Sequence, residues 1–179
     1  MPLNARALVA ALAAIALPAA ACNGDIEKAA GATSDTGAPL AAPARATYVP
    51  VGDMLQATCG TLDCHGQVGR NLRLYGARGL RLDPGGNPGD NVTTAREYDE
   101  SYWSVIGLEP ELLDQVVRDH GNSPERLTLV RKARALDSHK GGRLITAGDT
   151  RDRCLLAWLA GSTDDAACAE GKKVERPGS

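Results

Sequence analysis

The sequence predicts a small, mostly α-helical domain. Apolar residues recur at helical spacing in several stretches, each bounded by a cap or a stop. Strand signals are sparse. Aromatic residues are few, with two tryptophans, four tyrosines and no phenylalanine in 179 residues. Such a chain has a thin core, and thin cores need a staple: a disulfide, a metal or a cofactor.

The N-terminus comes first. Arg6 is followed by the apolar run "ALVAALAAIAL" at residues 7–17, then Pro18 and three alanines before Cys22. A basic start, a short apolar run and small residues before a break describe an export signal over residues 1–21. The run falls short of the roughly 20 apolar residues that span a bilayer. Small residues directly before Cys22 resemble the lipobox of bacterial lipoproteins, in which that cysteine is lipidated. An ordinary signal peptidase site after Ala19-Ala20-Ala21 is the alternative. Asn23, rather than Asp, follows Cys22, which points to the outer membrane. Residues 22–46 are rich in Ala, Gly, Pro, Ser and Thr and read as a flexible tether. Export implies an oxidising compartment, where thiols end up as disulfides, metal ligands or covalent adducts.

The folded part is expected over residues 47–169. A short helix fits residues 51–58 and runs into Cys59. Residues 77–94 are punctuated by Gly and Pro and read as a long loop. Thr93 or Thr94 can cap a helix over 95–105, with Tyr98, Tyr102 and Val105 on one face. Residues 109–121 form the next helix, with Pro110 in its first turn, acids at its start and Gly121 as its stop. Residues 125–133 fit a strand or a helix. Residues 149–161 form an amphipathic helix capped by Asp149 or Thr150, with Leu155, Trp158 and Leu159 inward and Gly161 at its end. Residues 170–179 read as a disordered tail.

Charge excludes one class of partner. Twenty basic residues face 22 acidic ones, a net charge of −2, whereas nucleic-acid binding calls for a basic face. There is also no P-loop, G-x-G-x-x-G or Ser-His-Asp pattern to suggest nucleotide or hydrolase chemistry.

Four cysteines remain besides Cys22. The sequence allows three full disulfide pairings, and local spacing favours Cys59 with Cys64 and Cys154 with Cys168, the latter a structural bridge whose loop closure is worth roughly 3 kcal/mol. Cys59 and Cys64 differ because His65 follows directly, in "CGTLDCHG". They can form a small disulfide loop. They can also be the thioether anchors of a covalent haem, with His65 as the iron ligand. Zinc shared by Cys64 and His65 is strained, because adjacent side chains rarely converge on one tetrahedron.

A short helix leading into that motif, a variable middle, the "SHKGG" turn and the "LLAWLAG" helix resemble a small monohaem cytochrome c domain over residues 48–161. The resemblance implies haem c, with Cys59 and Cys64 as anchors and His65 as proximal ligand. It departs from the family's pattern in two ways. The spacer between the cysteines has four residues instead of two, and no methionine follows His65. The only methionines are Met1 and Met54. His139, in a glycine-rich turn, reads as the distal ligand or as a surface-loop histidine, ahead of His120 at a helix end; if neither ligates, the resemblance implies an open iron site. Arg70, Arg73, Arg78 and Arg81 read either as a clamp for haem carboxylates or as a solvated basic loop.

Two functions follow. One is an electron carrier, not a catalyst, tethered on the periplasmic side by Cys22 and serving a redox partner protein. The other is a disulfide-stapled envelope lipoprotein with a binding or structural role and no cofactor.

Overall fold

The computed structural model describes residues 37–89 and 92–173. The expected export signal, Cys22 and residues 174–179 lie outside the described residues. The domain is mostly helical, and no strand occurs among the described residues. Six α-helices follow in order: α1 (Tyr48–Cys59), α2 (Ala95–Ile106), α3 (Pro110–Arg118), α4 (Thr128–Ala133), α5 (Thr150–Leu159) and α6 (Asp165–Gly171).

The helix signals act locally as their chemistry requires. Thr94 accepts from the Glu97 amide while the Glu97 carboxylate accepts from the Thr94 amide, a reciprocal capping box that starts α2. Pro110 begins α3, where a missing N–H costs nothing. Asp149 accepts from the Asp152 amide at the start of α5. Gly121 and Gly161 lie beyond α3 and α5 at φ +79° and +82°, a conformation that favours glycine.

Helix α1 packs against α2, α5 and α6. Tyr48, Met54, Leu55, Leu155 and Trp158 fill the space between them, and Trp158 is fully buried. The Tyr48 ring lies 5.4 Å from Trp158 and 5.6 Å from Tyr102. Arg45 sits 5.9 Å from the ring centroids of both tyrosines, in cation–π range. The Tyr102 hydroxyl donates to the Pro43 carbonyl at 2.8 Å. This aromatic nucleus draws the chain in ahead of the expected start at residue 47. Ala41 donates to Asp114 at 2.6 Å, and a 3₁₀ turn at Arg45–Thr47 leads into α1. Part of the segment read as tether is thus packed against the domain.

Two more differences have physical causes. The ambiguous segment 125–133 becomes a 3₁₀ turn at Pro124–Arg126 followed by α4. Glu109 decides for helix, because its carboxylate accepts from both the amide and the hydroxyl of Thr128 at 2.6 and 2.7 Å. Helix α6 has no strong apolar period. It is held by the Cys154–Cys168 disulfide and by Arg151, which donates to the Gly171 carbonyl at 3.0 Å. It thus extends to Gly171, past the expected start of the tail at residue 170.

Candidate functional site

The "CGTLDCHG" segment folds back on itself directly after α1. Gly60 caps the helix by donating to Gln56. The Cys64 and Gly66 amides both donate to the Thr61 carbonyl, at 2.9 and 3.0 Å, and the His65 amide returns to Cys59 at 2.9 Å. Leu62 and Asp63 project outward at the tip, so the two extra spacer residues bulge into solvent. The glycines are needed for closeness. Gly60 keeps a negative φ, but a Cβ on Gly66 would lie 2.3 Å from the Gly60 oxygen, and one on Gly79 only 1.9 Å.

This closure aims His65 inward. Its carbonyl accepts from the Leu74 amide at 2.9 Å, and its Nδ1 lies 3.1 Å from the Leu72 carbonyl. A carbonyl only accepts, so Nδ1 carries the proton and the neutral ring keeps its lone pair on Nε2. Burial holds the His65 pKa below the ordinary histidine value and outweighs the Leu72 hydrogen bond; the His139, Arg70 and Lys132 charges act in the same direction as burial. The ring is thereby kept in the neutral form that can bind a metal.

His139 faces it. The two ring centroids are 6.2 Å apart and the planes differ by 22°. Its Nδ1 lies 3.3 Å from the Gly142 carbonyl, so that nitrogen is the donor. The residues come from distant parts of the chain and share a cavity of about 490 Å³. Cofactor pockets span roughly 300–1,000 Å³. Cys59, Leu72, Leu108, Leu129 and Leu144 supply apolar wall, while Arg70 and Lys132 supply positive charge.

The two near-parallel imidazoles, 6.2 Å apart in the wall of this cavity, are close enough for one group held there to meet both rings. Two imidazoles alone make a poor protein-only site. Among the described residues no group of three or more His, Cys, Asp or Glu is placed to hold a metal ion.

No family model, curated protein or solved structure matches this chain.

The structure gathers some of the residues singled out from the sequence and separates others. Cys59 lines the cavity beside His65, and Cys64 is half-buried in the loop that carries it. No disulfide joins Cys59 to Cys64 in this structure. The hydrogen bond from His65 to Cys59 closes that loop instead. Cys154 and Cys168 are joined, away from the cavity. His120 is exposed after α3 at φ +53° and does not line the cavity. The arginines disperse. Arg70 lines the cavity and donates to the Cys64 carbonyl at 3.0 Å, whereas Arg81 is buried against Glu97 at 2.7 Å. Sequence reasoning missed Leu72, whose backbone carbonyl orients His65, and Lys132, which replaces Arg81 among the cations near the cavity. A main-chain acceptor leaves no mark in a sequence.

Proposed function

We propose that this chain is an exported electron-transfer protein that holds one covalent haem c between His65 and His139. The observation that carries the reading is the near-parallel histidine pair at 6.2 Å, with both Nδ1 atoms engaged by carbonyls. When bound, the haem supplies a one-electron couple at its iron. Cys59 and Cys64 would anchor it as thioethers. His65 and His139 would hold its iron, with the Leu72 and Gly142 carbonyls orienting the rings and raising the basicity of the ligating nitrogens. Arg70 and Lys132 would balance its carboxylates. Met54, the one methionine among the described residues, is fully buried in α1. A centre with two imidazoles has a lower potential than one with a methionine ligand. The reading keeps the lipid anchor on Cys22, an outer-membrane location on the periplasmic side, and a redox partner protein.

The alternative, a stapled envelope protein with no cofactor, draws on the Cys154–Cys168 disulfide and on a core that closes around Trp158. One experiment separates the two. The chain is produced with the cytochrome c maturation machinery, denatured, and stained for haem-linked peroxidase on a gel. A stained band that disappears in a folded Cys64→Ala variant supports the haem reading. A colourless wild-type band refutes it and leaves the stapled protein.

A further inference from the structure

The two facing histidines are held in different ways. His65 is fixed by the rest of the domain: its amide bonds Cys59, its carbonyl accepts from Leu74 and its ring bonds Leu72. His139 belongs to residues 138–143, whose hydrogen bonds stay inside the segment. The Gly142 amide donates to the His139 carbonyl at 2.9 Å, and the His139 ring meets the Gly142 carbonyl at 3.3 Å. Lys140 and Arg143 are exposed and make no ion pair among the described residues. Both ends of the segment are anchored. Leu136 donates to the Arg131 carbonyl and Asp137 pairs with Arg131 at 2.7 Å. Beyond it, the Leu144 and Ile145 amides donate to Ala133 at 2.9 and 3.0 Å. Gly142, at φ +67° and in open space, supplies the sharp turn within the segment.

From this asymmetry we infer that residues 138–143 are an arm that carries His139 on and off the cavity, so that a small neutral diatomic ligand of the carbon monoxide class can take its place. The arm moves without breaking a hydrogen bond to the domain, while His65 stays where it is. The space it uncovers belongs to a cavity with both apolar and charged wall. Leu129, Ala133 and Leu144 line it, and Leu144 lies beside the arm, its Cδ1 3.6 Å from where a Cβ on Gly141 would sit. That apolar side suits an uncharged diatomic. The inference rests on the haem reading, and its ligand half falls if that reading falls.

Two measurements test it. Amide hydrogen exchange on the chain produced without haem reads the arm directly. Residues 138–141 and 143 should exchange at nearly unprotected rates, while the amides of residues 64–66, 144 and 145 are protected. Protection of the arm equal to that of residues 64–66 overturns the inference and leaves the haem reading intact. Carbon monoxide titration of the reduced, haem-bearing protein reads the ligand. Wild type should bind about 10- to 1,000-fold more weakly than His139→Ala, because apparent affinity falls with the fraction of open arm. A ratio near one means that the arm does not hold His139 at the site. A wild-type protein that does not bind at about 10,000 times the variant's dissociation constant means that the arm does not release it. Either result overturns the inference. A chain that carries no covalent haem refutes the function and the ligand exchange together.

Discussion

Gly79→Ala is the sharpest test of how the histidine loop is built. A Cβ at this position would sit 1.9 Å from the Gly60 carbonyl oxygen and 3.0 Å from its carbon. Close C–H···O contacts are about 3.3–3.6 Å, so the two backbones must part by about 1.4 Å. Gly60 has little freedom to retreat, since its amide caps α1 and its neighbours Cys59 and Thr61 receive the amides of residues 64–66. Overpacking costs about 1–3 kcal/mol, and the upper end applies when the obstacle is backbone. For a domain of this size 1 kcal/mol is worth about 4 °C in Tm, so Gly79→Ala should melt about 8–12 °C below wild type. Gly69→Ala is the matched control in the cavity wall. No atom lies within 4 Å of its Cβ, and its φ is not positive. That change should be neutral, or stabilise by up to about 1 kcal/mol through the unfolded chain. The assay is thermal melting followed by far-ultraviolet circular dichroism. Equal melting of the two variants, or a Gly79→Ala protein within about 2 °C of wild type, would refute the close-packed loop.

Two further outcomes are expected. Reducing the Cys154–Cys168 disulfide, or replacing both cysteines by alanine, should lower stability by about 3 kcal/mol in a denaturant titration, since the bridge closes a loop with a separation of 14 residues. Glu97 should govern acid stability. Burial pushes its carboxyl up, but hydrogen bonds from Arg81, Thr94 and Leu82 outweigh that and hold it below the ordinary glutamate value. A depressed folded pKa stabilises the protein above the unfolded value, and the gain is lost as pH falls through the folded one. Wild type should therefore lose stability on acidification below the ordinary glutamate pKa. Glu97→Gln should be less stable at neutral pH and show a flatter acid limb, and a parallel pH profile in the two proteins would contradict this.

Much of the helical frame was legible in the sequence, because its signals are local. Thr94, Pro110, Asp149, Gly121 and Gly161 start and stop helices through their own side chains or backbone freedom, and the structure places them at those boundaries. What the sequence hid depends on distant partners. Residues 41–46 look like linker by composition, yet Tyr102, Asp114 and Asp99 hold them. Residues 125–133 had no decisive period, and the choice of helix came from Glu109, well upstream. At the site, Cys59, Cys64 and His65 stand out by adjacency alone. His139 could be named only by elimination. Its distance and angle to His65 arise from the packing of α4 and the loop after it, and the orienting Leu72 carbonyl has no side-chain signature.

The central claim is that His65 and His139 are the two ligands of one haem. Low-temperature electron paramagnetic resonance of the oxidised, haem-bearing chain tests it most directly, with His139→Ala beside it. Wild type should give a low-spin signal from two nitrogen donors, and the variant a high-spin one. A signal that His139→Ala leaves unchanged would contradict it.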